Sequence, residues 1–390
     1  MRYLAGMENL GVARETPLLS WHTQHGAKLA DFGGWQMPIE YPESISTKLG
    51  KSIATGGVLA EHNAVRTNVG LFDVSHLGKI EVRGEGSLDF LNSIFTNDLN
   101  RISDGQAQYS LLCNQSGGVI DDLIVYRHSA DHVFIIPNAA NCATVFDVLD
   151  SDTSLSRNGL TITNAHTNFA VLAVQGPQSD AVLRQLGLNV DLEYMHFTHI
   201  VINQIGEVII CRTGYSGEFG FELLPAWENA GALWELLVDA VGSLGGQICG
   251  LGSRDTLRTE MGYPLHGHEL SPEITPLEAS IGWAVALSKP AVHGKEALVT
   301  QKTAGVTRLS RGLRCLERAI PRAGMSVLNS HGEVVGVTTS GTFSPTLKEG
   351  IALALISPTL GYGDHVTIDV RGRLCQAEIV KVPFVEPHVR

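Results

Sequence analysis

The amino-acid sequence predicts an α+β chain that changes character near its C-terminus into a small all-β unit. Three observations lead there. Between about Leu18 and Trp283, short β-branched runs alternate with helical stretches across hairpin-length connections, which favours mixed sheets over a doubly wound parallel one. After about Thr303 no convincing long helix remains, and short strands follow one another through Gly- and Pro-containing turns, as in an antiparallel sandwich or barrel. Finally, 390 residues at 44% hydrophobic and 17% charged supply core enough for two or three domains.

In the first part, Lys79–Val82, Val119–Tyr126, Val133–Ile136, Leu160–Thr163 and Phe169–Val174 read as strands. Ser87–Phe95, Ala139–Leu149 and Pro177–Leu186 read as helices between them. Trp227–Val241 spaces its apolar residues by three and four and runs into Gly245-Gly246, a helix stop. The polar stretch Glu43–Gly57 interrupts the pattern and reads as a surface loop or a short helical excursion. In the second part, strands are expected at Gly312–Leu316, Met325–Leu328, Glu333–Thr338, Ile351–Ile356, His365–Val370 and Cys375–Val380. The polar segment Gln301–Leu309 reads as the linker, dividing a region at 16–300 from one at 305–390. No internal repeat or low-complexity tract is visible.

A net charge of −12 argues against nucleic acid as the main partner, because phosphate neutralisation needs clustered Lys and Arg. The six cysteines form no CxxC pair and read as reduced, buried small hydrophobes, the usage of a reducing cytoplasm. No stretch reaches the roughly 18–20 continuous apolar residues of a membrane span, and the N-terminus lacks the apolar region of a secretory signal. Met7 is an alternative start to Met1.

The chain has no P-loop, Rossmann fingerprint, HExxH or GxSxG. His266-Gly-His268-Glu269 has the look of a metal pair, yet a site needs three or four supported ligands, so a structural role and no metal are expected. What remains is a set of acids and aromatics. Asp121-Asp122 lies in a strand, where adjacent side chains face opposite ways, so one of the two can enter a given pocket. Within Gly214-Tyr-Ser-Gly-Glu-Phe-Gly-Phe-Glu222, Glu218 on the turn reads as solvated, whereas Glu222 sits in strand-like surroundings where an unpaired acid is costly. Arg254-Asp255, with Arg258 and Glu260 beyond, reads as the first turn of a helix carrying either a local salt-bridge net or a site.

These pieces fall in a recognisable order: Thr16-Pro17-Leu18, Asp31-Phe-Gly-Gly-Trp35-Gln-Met-Pro38, Gly70-Leu-Phe-Asp-Val-Ser-His76, Tyr109-Ser110 and Gly117-Gly-Val-Ile-Asp-Asp122. Gln175-Gly-Pro177, Arg212-Thr-Gly-Tyr-Ser-Gly-Glu218, Gly250-Leu-Gly-Ser-Arg-Asp255, Gly294-Lys-Glu-Ala-Leu298 and Thr339-Ser-Gly-Thr-Phe-Ser-Pro-Thr346 follow. Along nearly its whole length the chain resembles the glycine cleavage T-protein (aminomethyltransferase) family. The resemblance implies a three-domain ring, in which two interleaved α+β domains and a C-terminal β-domain surround a central channel for tetrahydrofolate. It implies transfer of the methylene of S-aminomethyl-dihydrolipoyl H protein to folate N5 and N10, with release of ammonia. By motif position it makes Asp122 the key acid near the folate nitrogens and Glu222 the grip on the pterin. Arg254 joins the same binding set, with Tyr109, Asn138 and Tyr215 as pocket-lining neighbours.

The chemistry of the residues agrees. A pterin's exocyclic amine and ring N–H form a planar donor pair that a carboxylate accepts and an amide would not. An ionised Asp beside the folate nitrogens can take a proton and stabilise positive charge on the transferred carbon. Two rival readings share the fold: a folate-dependent demethylase, and a non-catalytic folate-binding assembly factor. The latter carries a Lys-Gly-Cys-Tyr-x-Gly-Gln-Glu pattern where this chain has Arg-Thr-Gly-Tyr-Ser-Gly-Glu-Phe. Three features depart from the family pattern: Leu77 where many relatives have Met, the length of Glu43–Gly57, and a C-terminus lacking a tyrosine. No C-terminal ligand contact, Arg390 included, is therefore carried over.

Overall fold

A computed structural model describes residues 13–46, 50, 52–53, 56–152 and 159–390. The stretch at 43–57 lies partly outside them; its described part contributes Ile45–Ser46 and Ser52–Ile53, paired antiparallel. The hairpin Lys28–Phe32 and Trp35–Glu40 turns at Gly33-Gly34, where both residues take positive φ (61° and 81°) that only glycine adopts without strain.

Two sheets organise the first part. A six-stranded sheet runs in the order Phe197–Ile202, Gly206–Cys211, Gly220–Pro225, Leu172–Gln175, Gly70–Asp73, Gln247–Cys249, antiparallel except for the last pair. A five-stranded antiparallel sheet runs Thr161–Asn164, Ile80–Arg83, His132–Ile136, Val119–Ser129, Gln106–Cys113. All five of its strands lie in the chain between Gly70–Asp73 and Leu172–Gln175, which are neighbours in the other sheet, so the two units interleave.

The layers follow from alternation. Leu71, Leu172, Val174, Phe221 and Leu223 bury themselves with Trp234 and Leu237 of helix Ala230–Ser243 on the outer face of the six-stranded sheet. Leu123, Val125, Val133 and Ile135 do the same beneath helices Ser87–Ile94 and Cys142–Ser151. The inner faces meet through Phe72, Ala173 and Leu224 on one side and Tyr126, Phe134 and Ile136 on the other. The result is helix, sheet, sheet, helix.

Several elements depart from expectation for identifiable reasons. The helix expected from Ala139 starts at Cys142, because Asp121 accepts from the Asn138 backbone N–H (2.9 Å) and the Asn141 amide (2.7 Å), holding 138–141 in a turn. Trp227–Asn229 is a 3-10 turn leading into the α-helix. Phe169 forms only an isolated bridge to Ala226, so its strand begins at Leu172. Helix Lys295–Ala304 occupies the start of the segment read as linker. The last part is a closed antiparallel barrel, in which Leu309–Cys315 pairs with both Glu349–Ile356 and Arg373–Val380. Its strand Val334–Ser344 continues well past Thr338, through a bulge. All six cysteines are buried free thiols.

Helix Leu251–Met261 ties these units together. Its fully buried Glu260 receives Arg66 (2.8 Å) and His62 (3.2 Å) from helix Gly57–Thr67. From the barrel it receives the Ser344 hydroxyl (2.5 Å) and the Thr346 hydroxyl (3.0 Å). Two residues earlier Arg258 donates to Ser340 of the barrel (2.8 Å).

Burial alone would raise the Glu260 carboxyl, but the His62 and Arg66 contacts and the Ser344 hydroxyl hold it down to about 2, below its ordinary 4.5. Its contribution to stability is therefore complete above about pH 5 and is lost as pH falls through about 2. Glu260→Gln, which breaks one of the two buried charge pairs of Arg66 and leaves it Glu218 alone, should cost about 3 kcal/mol at neutral pH, the lower end for a broken buried pair. It should also flatten the acid limb of stability, measured by urea unfolding across pH. An unchanged acid limb would shift the pH dependence to other carboxylates.

Candidate active site

A cavity of about 580 Å³ opens between the inner faces of the two sheets and the start of helix Leu251–Met261. That volume suits one small organic molecule. Asp122, Tyr109, Asn138, Tyr215, Glu222 and Arg254, the six site residues expected from the sequence, all line it.

Strand alternation decides which aspartate enters. In Val119–Ser129, Leu123 and Val125 point to the outer core, so Asp121 follows them; Ile124 and Tyr126 point inward, and Asp122 with them. The strand can begin where it does because Gly118 has no side chain: a Cβ there would meet the Pro272 carbonyl at 1.8 Å. Asn138 clasps both acids, its amide donating to Asp121 Oδ1 (2.9 Å) and to Asp122 Oδ1 (2.8 Å). The Tyr109 hydroxyl donates to Asp122 Oδ2 (3.0 Å). Burial raises the Asp122 carboxyl above the usual carboxylate range against the lowering influence of His266, Tyr109 and Asn138. Asp121 is raised further, by burial and then by the charge of Asp122. Burial and Asp122 together push the Tyr109 phenol well up, so it stays a hydrogen-bond donor.

Across the cavity, Glu222 lies on the inner face because Phe221 and Leu223 take the outer one. Thr213 donates to its Oε2 (2.5 Å), leaving Oε1 without a protein donor among the described residues. Arg254 stands in the first turn of its helix with its guanidinium over the Tyr215 ring, 4.8 Å from the centroid. Among the described residues it makes no ion pair; burial lowers its affinity for the proton, and Glu222 and Tyr215 offset that. Arg258, by contrast, is the local salt-bridge net, pairing with Asp255 (2.7 Å) and Glu269 (3.1 Å). The Tyr215 hydroxyl is spent on the Pro264 carbonyl, so its ring is what it offers. The cavity thus presents an anionic acceptor and a cation on one wall and a proton-accepting carboxylate on the other.

Glu218 is buried rather than solvated, paired with Arg66 (2.9 Å) and His388 (3.2 Å), because the turn folds beneath helix Gly57–Thr67 and the C-terminal segment. His266 and His268 bond the Val119 and Thr339 carbonyls (3.0 and 2.7 Å), and Glu269 serves Arg258. Thr213, His76 and Trp283 line the cavity without having been singled out. Thr213 was legible as the hydroxyl beside the Gly214 turn. Trp283 is 67% exposed and tilts over Tyr109 at 5.5 Å; only its place in Ile281-Gly-Trp, outside any helical pattern, hints at it.

Residues 18–289 match the GCVT N-terminal domain model and residues 308–386 the glycine cleavage T-protein C-terminal barrel domain model. An aminomethyltransferase of Mycobacterium avium (strain 104) is 53% identical over 376 residues, covering 96% of this chain and 97% of the relative. One from Parafrankia sp. (strain EAN1pec) is 51% identical over 381 residues, covering 98% of this chain and 100% of the relative. The crystal structure of glycine cleavage system aminomethyltransferase T from Bartonella henselae superposes with a TM-score of 0.86 at 32% identity, covering 96% of this chain and 99% of that one.

Proposed function

The chain belongs to the glycine cleavage T-protein family of aminomethyltransferases, and we propose that its cavity binds tetrahydrofolate as co-substrate and receives the aminomethyl-bearing lipoyl arm of H protein. The activity is aminomethyl transfer: the carrier's methylene passes to folate and ammonia is released. The observation that carries the assignment of the site is the joint placement of Asp122, Glu222 and Arg254 on one cavity. Residues 16–300 supply its walls, and the barrel at 305–390 braces helix Leu251–Met261 behind Arg254. No helix among the described residues is long and apolar enough to cross a membrane, and the buried free thiols suit a reducing cytoplasm.

Each residue has a task its geometry allows. Glu222, oriented by Thr213 through one oxygen, offers the other to the amine and ring N–H of the pterin. Tyr215 and Arg254 flank it as a stacked pair. Asp122, held by Tyr109 and Asn138, accepts a proton from a folate nitrogen as the carbon is attacked, and its negative charge favours the cationic carbon. Asp121 works through Asn138, fixing the turn that fixes Asp122. The decisive assay is ammonia release from aminomethylated H protein, fast with tetrahydrofolate and slow without it.

Tetrahydrofolate should stabilise the fold, since only the assembled cavity binds it. At a hundredfold excess over Kd the gain is about 2.7 kcal/mol, read as an upward melting shift. No shift at millimolar concentration would place folate elsewhere. Glu222→Gln sets an amide donor against the pterin's donors and should weaken folate binding by about 1.5–3 kcal/mol, measured by titration calorimetry. An unchanged Kd would move the grip to another side chain. Asp122→Asn should fold and bind folate nearly as before yet lose roughly 10²–10⁴ in kcat. Because the Asp122 carboxyl is raised and must be ionised, wild-type kcat should climb with pH through a limb above the ordinary aspartate range, and the variant should lack that limb. Asp121→Asn, the control, should affect stability more than rate; the reverse pattern would exchange the two roles.

A further inference from the structure

His76 belongs to the cavity wall but to none of the roles above. It is 3% exposed, and its ring meets Phe32 edge-on at 5.5 Å. The segment carrying it is pinned on both sides. His166 Nε2 bonds the His76 carbonyl (2.9 Å), and Gly78 N–H donates to the Pro137 carbonyl (2.9 Å), next to the Asn138 that holds Asp122. Neither ring nitrogen of His76 has a hydrogen-bond partner among the described residues, and Nδ1 is sealed inside the protein. A buried imidazole with no partner costs stability unless something else uses it.

The form of the ring follows from its surroundings. Burial, seconded by the charges of Arg254 and Lys79 and opposed by Asp73, holds its pKa at about 3, so the imidazole is neutral. A neutral imidazole carries one N–H. Sealing an unpaired lone pair is cheaper than sealing an unpaired N–H, which puts the proton on Nε2, the nitrogen left to face the cavity. His76 is therefore a neutral hydrogen-bond donor. Its neighbours on this wall, Phe32, Leu77, Ile136 and Pro137, are apolar, whereas Glu222, Thr213, Tyr215 and Arg254 make the other wall polar. A planar, donor-rich heterocycle fits the polar wall; a thioether on an aliphatic arm fits the apolar one.

We propose that His76 donates a hydrogen bond from Nε2 to the sulfur of the lipoyl arm as the carbon–sulfur bond breaks. The inference rests on the aminomethyltransferase reading above. In the overall transfer the methylene carbon gains bonds to two folate nitrogens and loses its bonds to sulfur and to the amine. The electron pair of the carbon–sulfur bond goes to sulfur. The two protons displaced from the folate nitrogens end on sulfur, giving the thiol, and on the amine, giving ammonia. His76 keeps its own proton throughout and steadies the charge that builds on sulfur. A neutral donor does this without forming the tight ion pair that would hold the product thiolate in place.

The test uses the whole chain with aminomethylated H protein and tetrahydrofolate in single turnover, following thiol and ammonia separately. His76→Phe keeps a ring but no donor and should slow thiol appearance about 10- to 100-fold, the range for a hydrogen bond to a charged group. The folate-induced melting shift should remain. His76→Gln restores an N–H and should recover part of the rate. Full-rate thiol release in His76→Phe, equal losses in both variants, or a defect confined to folate affinity would each overturn the proposal. Should His76→Phe fail to fold, ¹⁵N-histidine spectra of the wild-type protein decide. A neutral Nε2–H tautomer whose Nε2 resonance moves on adding dihydrolipoamide supports the assignment; an Nδ1–H tautomer or an unmoved resonance overturns it. Wild-type protein that releases no ammonia from aminomethylated H protein would instead sink the functional reading itself, a separate result.

Discussion

The carboxylate of Glu260 is where three separate parts of the chain converge, and the geometry of the cavity depends on its being satisfied. A buried anion is tolerated only when donors surround it. Here they come from helix Gly57–Thr67 and from the barrel turn at Ser344 and Thr346. Satisfying that single charge obliges the barrel and helix Gly57–Thr67 both to sit against helix Leu251–Met261. Arg254, two turns nearer the helix start, is thereby delivered to the cavity. Arg66 extends the same clamp to Glu218, and so fixes the turn that carries Tyr215.

The second organising fact is that two sheets present inner faces to each other and keep most polar groups off them. Where a carboxylate does appear on an inner face, strand alternation rather than a loop puts it there, as with Asp122 and Glu222. Rigid strands hold such groups more closely than mobile connections would. The two acids are treated differently. Glu222 is left an open oxygen, while Asp122 is enclosed by Tyr109 and Asn138, and burial raises its proton affinity. On the proposed assignment one wall binds and the other reacts.

Much of this was legible in the sequence. The strand carrying Asp121-Asp122 could be read from its β-branched run, and the opposite facing of two adjacent acids from strand geometry alone. The choice of Asp122 came from family resemblance, and only the inward facing of Ile124 and Tyr126 gives it a physical reason. Local pattern could not show that Glu218 is buried, because the groups that bury it, Arg66 and His388, are more than 150 residues away. The late start of helix Cys142–Ser151 escaped for a related reason. Its first turn competes with Asp121, 17 to 20 residues upstream, for the same donors. His76 was visible only as a motif letter, since the absence of a partner is a property of the folded interior.

The interleaving of the two sheets bears on how the chain is made. On the ribosome, Gly70–Asp73 emerges early, yet both of its sheet neighbours come late: Leu172–Gln175 about a hundred residues afterwards and Gln247–Cys249 later still. Meanwhile the five-stranded sheet, whose pairings lie wholly between them, can close by itself. The nascent protein must therefore carry an apolar strand, Leu71 and Phe72 among its residues, with both edges open until Leu172–Gln175 emerges and one open until translation passes Cys249. Unpaired edges of that kind are where newly made chains stick to one another. The hazard of this fold therefore lies in the interval before its central strand is paired, whatever the stability of the finished sheet.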